Sequence, residues 1–462
     1  MKKYAIIIFL TSSLLMQAQC WLQATSASHY SGGGFHCLGI QSDGTLWAWG
    51  LNDRGQLGDG TTTNRNTPTQ IGTDTDWIFV TVGSNFTYAL KQNGSLWAWG
   101  DNNKGQLSDG TTTGRLSPAQ VLPGTTWSKV SAGDQFVIAQ KTDGTLWACG
   151  ESGGGETGLG SATNVFTFTQ NTTITDWESI RSSFAHTLLR RSDGTIWGFG
   201  GGGSGRLATG SNTGLGTPTQ LPQLPNGEWL QAIPGPGSSL FRKNDGSIWV
   251  VGANTANLGL GVSQAAYYTL TQSGSATDWL SIEDSSLHSM VLKNNGTIWT
   301  CGGNSSGQLG LGNTTTVSVW TQVGTSTNWA KVKCGREHTL AIDNQGTLWA
   351  WGRNNFGQLG DGTTTNRTTP TQIGIPCNLS VTDHEQKVMQ LMQNPVGELA
   401  QISFVYDGVK KLTIYNTTGQ LVFKTTVTED FVSINTTSFA KGVYLIQCES
   451  EMGNEVLKMV KQ

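Results

Sequence analysis

One eight-residue phrase recurs seven times along this chain at nearly constant spacing. It reads DGTLWAWG from Asp43, NGSLWAWG from Asn93, DGTLWACG from Asp143, DGTIWGFG from Asp193, DGSIWVVG from Asp245, NGTIWTCG from Asn295 and QGTLWAWG from Gln345. Successive copies start 50, 50, 50, 52, 50 and 50 residues apart. A fixed period of this length marks a stacked-repeat architecture, in which each unit buries its faces only against its neighbours. A tryptophan stands 17 residues before each of the last six phrase glycines: Trp77, Trp127, Trp177, Trp229, Trp279 and Trp329. Each phrase is followed by a Gly-rich loop such as Gly55 to Gly60 and then a short strand-like run such as Thr67 to Ile71.

The local chemistry of one unit sets its class. In the second copy, Phe86 to Lys91 suits a strand, Asn93-Gly94 is a tight hairpin signal and Ser95 to Trp99 returns as the partner strand. The chain pairs again near Val121, and a further strand starts at Trp127. Four strands per ~50 residues, with no helical periodicity between them, predict an all-β fold. Seven copies without a polar capping repeat at either end predict a closed seven-bladed β-propeller, not an open solenoid. The 62 glycines and 18 tryptophans among 462 residues fit tight turns around an aromatic core.

The repeat resembles that of the regulator of chromosome condensation family. The residues carrying the likeness in the first copy are Gly33 and His36, Ile40, Asp43-Gly44, Trp49-Gly50 and Gly55-Gln56-Leu57-Gly58. The likeness extends over residues 21–376 and implies the seven-bladed ring. Blade five departs most, with Ser238 at the histidine position after Pro234-Gly235-Pro236-Gly237. Blade three replaces the usual loop with Glu151 to Gly158.

The two ends of the chain read differently. Lys2 and Lys3 precede an apolar run from Ala5 to Leu15, too short to span a bilayer, so residues 1–18 read as a signal peptide cleaved between Ala18 and Gln19. Gln19 also stands where a lipoprotein would carry a small residue before Cys20. Export places the seven cysteines in an oxidising compartment. If the ring closes, Cys20, just before Trp21, and Cys377, just after the last repeat, arrive at adjacent positions and are expected to form a disulfide; the alternative is two unrelated thiols. Trp21 lies 23 residues before Gly44, six more than in the other copies, which leaves the register of blade one open.

Beyond residues 19–377 the repeat stops, and residues 378–462 alternate as short strands at Ala400 to Tyr406, Lys411 to Tyr415, Leu421 to Thr426, Phe431 to Ile434, Gly442 to Cys448 and Val456 to Val460. That pattern predicts a small C-terminal immunoglobulin-like β-sandwich. It resembles the type A sorting domain of type IX secretion substrates through Asn394-Pro395-Val396, the stretch Lys411 to Val422 with Gly419-Gln420, the stretch Lys441 to Ile446 with Gly442 and Tyr444, and the basic end from Lys458 to Lys461. The resemblance implies the outer-membrane type IX machinery as a partner, passage through the periplasm, and removal of the domain with surface attachment or release.

Candidate chemistry is sparse. A net charge of −3 with 13% charged residues offers no electrostatic footprint for nucleic acid. His36, His186, His288 and His338 share one repeat position that holds Phe86 and Phe136 in other copies, a pattern of packing, not of metal ligation. Ser305 completes a G-x-S-x-G string but lies in a repeat loop without the strand-to-helix elbow that motif needs. No catalytic set, metal site or cofactor is expected. The surface constellations are the three DGTTT-x-R loops ending at Arg65, Arg115 and Arg367, whose expected role is local, with a ligand role open. At least 16 of the 18 tryptophans recur at repeat positions; Trp320 lies outside them and is a candidate for partner contact. The divergent stretches Glu151 to Thr157 (with Glu156), Gly200 to Gly205 and Asn226 to Pro236 form the preferred contact patch.

These readings converge on a secreted or cell-surface binding protein, a rigid propeller presenting loops to an extracellular protein or glycan. The alternatives are a secreted enzyme inhibitor, a glycan- or peptide-acting enzyme, and guanine-nucleotide exchange of the kind performed by the family's nuclear member.

Overall fold

The recurring phrase is a chain of hydrogen bonds that locks a hairpin. The Thr45 amide and hydroxyl donate to Asp43 Oδ1 at 3.0 and 2.7 Å, and the Thr45 hydroxyl accepts the Trp47 indole N–H at 2.8 Å. The same relay runs from Asp193 through Thr195 to Trp197 and from Asn295 through Thr297 to Trp299. Gly44 has φ +79°, and a Cβ there would lie 2.1 Å from the Thr75 carbonyl, so the turn demands glycine. The structure, a computed structural model, describes residues 20–28, 33–224, 228–261, 264–374 and 388–462.

Seven four-stranded antiparallel sheets result, each using consecutive strands. In blade two the order is Trp77–Val82, Phe86–Lys91, Leu96–Gly100 and Arg115–Val121. The strand at Trp127 does not complete this sheet; Trp127–Ala132 opens the next one, paired with Phe136–Lys141. The Trp-led strands contact one another around the ring and are therefore innermost, lining a central channel. Several join their blade to the one before by a backbone bond: the Trp77, Trp127 and Trp329 amides donate to the carbonyls of Gly44, Gly94 and Gly296 at 3.1, 2.9 and 3.2 Å.

Ring closure repeats that bond. The Trp21 amide donates to the Gly346 carbonyl at 2.9 Å, and Trp21 pairs with Gln41 as Trp77 does with Lys91. The register of blade one is thus ordinary, and its six extra residues fall between the first strand, Trp21–Ser26, and the second, His36–Gln41. Blade seven grips blade one through the same contacts that join other neighbours. The indole N–H of Trp49 donates to the Gln358 carbonyl at 3.0 Å, as those of Trp99 and Trp351 donate to Gln56 and Gln308. All seven sheets and the closing bonds lie within residues 20–374.

Tryptophans also stack with cations inside the blades. The Nζ atoms of Lys91, Lys243 and Lys293 each sit over two rings, Trp77 and Trp97, Trp229 and Trp249, and Trp279 and Trp299, at 4.6 to 5.1 Å.

Residues 388–462 form two packed sheets. One comprises Met389–Leu391, Leu399–Phe404 and Phe431–Asn435; the other Leu421–Val427, Lys410–Asn416, Gly442–Ser450 and Gly453–Lys461. Ile402, Phe404, Leu412, Ile414, Ile446 and Met459 are among the buried residues between them. The short strand Met389–Leu391 escaped the sequence reading because three residues carry no visible alternation.

Cys20 is disulfide-bonded, whereas Cys37, Cys149, Cys301, Cys334 and Cys448 are free and buried. The expected partner Cys377, like the expected cleavage site at Ala18 and Gln19, lies outside the described residues. Peptide mapping of the exported protein under non-reducing conditions should recover Cys20 linked to Cys377. Cys20→Ser should lower unfolding free energy by up to about 4–5 kcal/mol on the loop-entropy model. Recovery of Cys20 in any other pair overturns the assignment.

Candidate functional site: the mouth of the central channel

A propeller has two unlike faces, and among the described residues the C-terminal domain covers one of them. The phrase turns and the starts of the innermost strands share one face; the Gly-rich loops that follow the third strands share the other. The C-terminal domain sits on the turn face. Gln92 Nε2 donates to the Met392 carbonyl at 2.9 Å, Asn435 Nδ2 to the Thr142 carbonyl at 3.4 Å, and Arg242 Nη2 to Glu451 Oε1 at 2.6 Å. At Gly408 the domain backbone comes so near blade six that a Cβ would lie 2.6 Å from Leu280 Cδ1.

The centre of this contact is ionic. A cavity of about 130 Å³ runs in the channel between the innermost strands, and Glu429, Asp430 and Phe431 of the C-terminal domain form part of its wall. Glu429 accepts two bonds from one guanidinium, Arg181 Nη2 at 2.6 Å and Nε at 3.1 Å, and a third from Ser179 Oγ at 3.0 Å. Asp430 lies 3.8 Å from Lys331 Nζ. Asp407 Oδ2 accepts from Ser281 Oγ at 3.3 Å and from the Val332 amide at 3.4 Å. Lys333 Nζ is 2.5 Å from Glu283, and Lys129 Nζ donates to the carbonyls of Trp177 and Glu178 at 2.9 and 2.7 Å.

The charges on the two sides match. The propeller contributes Lys129, Arg181, Lys331 and Lys333 against Glu283 and Asp284; the C-terminal domain contributes Asp407, Glu429 and Asp430 against Lys410. Burial alone would raise the Asp430 carboxyl, but Lys331, Lys333 and Lys410 overcome it and hold the group well below the ordinary carboxylate range. Burial, and then repulsion from Asp430, raise Asp407. Burial lowers Lys129 and Lys410 to about 8, with nearby carboxylates opposing the shift. Desolvated charges of this kind are tolerated only when paired, so each side depends on the other.

None of these channel residues figured among the sequence candidates, though a signal existed. Counting from each first-strand tryptophan, the positions two and four residues later face the channel. Most copies place neutral residues there, such as Gln23, Thr25, Thr81 and Ser131, whereas Lys129, Arg181, Glu283, Lys331 and Lys333 break the pattern.

The sequence candidates themselves resolve into local roles. Arg65, Arg115 and Arg367 each hold the aspartate of their own loop, with Nη2 2.6, 2.8 and 2.7 Å from Asp59, Asp109 and Asp361. Asp59 Oδ1 also accepts from Asn52 Nδ2 and from the Thr61 amide and hydroxyl, an arrangement repeated in the other two loops. Glu151 pairs with Lys104 of the neighbouring blade at 3.0 Å. Glu156 takes the place of Gln56, its Oε2 accepting the Gly154 amide at 2.7 Å as Gln56 Oε1 accepts that of Arg54. Its burial raises the carboxyl. Glu151, Glu156 and the stretch Gly200 to Gly205 lie on the free loop face. The third expected stretch is not a loop: Trp229–Pro234 is the innermost strand of blade five, residues 225–227 lie outside the described residues, and only Pro236 reaches the loop face.

Trp320 proves to be packing. Its indole donates to Ser273 Oγ at 2.9 Å, stacks on Trp279 at 5.9 Å and lies against Gly259. In other blades the equivalent glycines, Gly58, Gly310 and Gly360, meet Trp99, Trp351 and Trp49 of the next blade. Blade six has Cys301 at that position, and Trp320, from the outer strand, fills the space where other blades carry a proline. Blade three makes the same exchange with Cys149 and Phe168. Blade five shows a third exchange: where the histidine is replaced by Ser238, Asp284 of blade six reaches in, accepting from Ser238 Oγ at 2.6 Å and Asn257 Nδ2 at 3.1 Å.

The four repeat histidines are fully buried and reach the next blade. His186 Nε2 meets Ser239 Oγ and His288 Nε2 meets Thr339 Oγ1, both at 2.9 Å, and His338 Nε2 lies 3.2 Å from Cys37 Sγ. The sorting-motif residues tie the C-terminal strand down. Asn394 Nδ2 donates to the Lys458 carbonyl at 2.9 Å, Asn394 Oδ1 accepts the Val460 amide at 2.8 Å, and Lys461 Nζ donates to the Gly397 carbonyl at 2.7 Å. Pro395 follows Asn394 through a cis peptide, Gly419 and Gln420 close the Asn416 turn, Gly442 begins the strand Gly442–Ser450, and the Tyr444 hydroxyl donates to the Ala440 carbonyl at 2.8 Å.

A closed seven-bladed ring with a sandwich seated on its turn face defines the class, and comparisons with known proteins agree. The chain carries regulator of chromosome condensation (RCC1) repeats, matched at residues 43–90, 93–140, 295–342 and 345–385, and a secretion system C-terminal sorting domain at 393–462. That domain indicates type IX export to the cell surface or extracellular space. Among solved structures, Prp20p from Saccharomyces cerevisiae is similar at TM-score 0.65 and 18% identity, covering 75% of this chain and 89% of that one. Human WBSCR16 gives TM-score 0.64 at 18% identity, covering 72% and 95%. At such identity the likeness is one of fold. The human E3 ubiquitin-protein ligase HERC2 is 42% identical over 50 residues, which is 11% of this chain and 1% of the ligase.

Two measurements test the packing roles. Cys301→Trp and Trp320→Pro should each destabilise blade six, by about 2–4 kcal/mol, while the double variant recovers most of the loss by restoring the blade-seven pattern; additive losses in a double-mutant cycle overturn the exchange. Burial holds His288 and His338 at about 3 when folded, against about 6.5 unfolded. The unfolded chain then binds more protons, and stability falls as pH drops below about 6.5. His288→Phe should fold like the native chain at pH 8 and lose less stability on going to pH 5, read by thermal unfolding.

Proposed function

We propose that this protein is an exported binding module that acts through recognition, without turnover, and that its outward contact surface is the Gly-rich loop face. The observation that carries this reading is the seating of the C-terminal domain on the turn face, which among the described residues leaves the loop face uncovered. On that face the loops Glu151 to Thr157 and Gly200 to Gly205 vary in sequence while the strands beneath them do not. Rigid strands under variable loops are how a repeat scaffold places specificity without disturbing its core. The partner class is an extracellular protein or glycan. Inhibition of a secreted enzyme is one form such recognition takes.

The test uses the chain of residues 19–462 on a glycan array and in pull-downs from culture medium. Replacing Glu151 to Thr157 by the blade-two loop Asp101 to Leu107 should weaken any ligand found by about tenfold or more, with near-ultraviolet circular dichroism showing the ring still folded. Binding indifferent to exchange of both divergent loops, or substrate turnover by the intact protein, overturns the proposal.

A further inference from the structure

We infer that the channel mouth is itself a binding site for acidic protein segments, and that Glu429 and Asp430 of the C-terminal domain occupy it in cis. This goes beyond the reading of the loop face and concerns the opposite side of the ring.

The site is built, not incidental. Arg181 presents its guanidinium fork to both oxygens of Glu429 while Ser179 adds a third donor, the arrangement by which a carboxylate is held specifically. Lys331 stands beside the next carboxylate, Asp430. Both donor sets come from innermost strands, Trp177–Ser182 and Trp329–Cys334, whose positions are fixed by hydrogen bonds to their own blades. Both carboxylates and Phe431 form part of the wall of the channel cavity of about 130 Å³, and Phe431 is buried with apolar residues of blades two and three. The mouth therefore recognises two successive carboxylates followed by an aromatic residue.

The occupant arrives from a separate folding unit. Glu429 and Asp430 lie on the turn between the strands Leu421–Val427 and Phe431–Asn435, while the seven propeller sheets and, among the described residues, the hydrogen bonds that close the ring lie within residues 20–374. Departure of the C-terminal domain would thus leave the ring intact, Arg181 without Glu429 and Lys331 without Asp430, while Lys333 keeps Glu283 of the ring. A free acidic segment would then find the same donors. While the domain is seated, no such segment can enter, so the full chain carries this site masked and the loop face open.

The experiment uses the full chain of residues 19–462 with a specific protease site introduced between residues 378 and 387, folded whole and then cut. The probe is the labelled peptide TTVTEDFVS, residues 425–433, with TTVTQNFVS as control. The uncut chain should not bind the probe. After cutting and removal of the C-terminal domain at high salt, the ring should bind TTVTEDFVS at low salt at least about tenfold more tightly than the control. Added salt should weaken that binding, and Arg181→Gln should abolish the preference. Near-ultraviolet circular dichroism of the tryptophans reports that the cut ring is still folded. A second arm needs no cutting: Glu429→Gln with Asp430→Asn in the intact chain should raise amide exchange in 177–182 and 329–334 and admit the probe. A folded ring that binds both peptides equally or neither, or an intact chain that binds the probe as well as the cut one, overturns the inference. Loop-face ligands of the intact chain are unaffected by either result, so failure here and failure of the loop-face reading are separable.

Discussion

The ring depends on a backbone hydrogen bond between neighbouring blades, from the amide of the first-strand tryptophan to the carbonyl of the preceding phrase glycine, made by Trp21, Trp77, Trp127 and Trp329. A four-stranded sheet of this size has two apolar faces and cannot persist alone. The bond sets where the next sheet starts, so that loop glycines such as Gly58, Gly310 and Gly360 meet Trp99, Trp351 and Trp49 of the next blade. Made from Trp21 to Gly346, the same bond turns a stack into a ring. Closure removes the two exposed ends that an open stack would have to cap, which is why no capping repeat is needed.

Because volume between blades is fixed by the ring, substitutions at one repeat position are answered at another. Cys149 is matched by Phe168, Cys301 by Trp320, and Ser238 by Asp284 from the adjoining blade. Close packing explains the pattern: a void between two sheets loses contacts on both, and the nearest side chain with the right reach restores them. Residues that look unusual along the chain are therefore often corrections to a neighbour. Trp320 and Glu156 drew attention for that reason, and both belong to the scaffold.

The innermost strands escape this economy because they face a channel instead of another sheet. There the repeat tolerates charge, and four blades carry it: Lys129 in blade three, Arg181 in blade four, Glu283 in blade six, and Lys331 and Lys333 in blade seven. Such charges are stable only when answered, and the C-terminal domain answers them with Asp407, Glu429 and Asp430. The docking thus joins two folding units through electrostatics at the axis, while the loop face stays outside the contact.

Periodicity alone determined the blade count, the strand content, the turn glycines and the packing role of the histidines, because each of these is a local pattern written seven times. The tail was legible for the same reason, as alternation over 5 to 9 residues in its longer strands; the three-residue strand Met389–Leu391 was too short to show. What only the tertiary structure decided is where unlike segments meet. Arg181 and Glu429 lie 248 positions apart, and no spacing rule links a channel-facing position to a turn in a separate domain. The charges at Lys129, Arg181, Lys331 and Lys333 were visible as breaks in the first-strand pattern, but their direction came from the closed ring and their partners from the seated domain. Local order follows from residues near in sequence, whereas a site made across a ring axis exists only once the ring has closed.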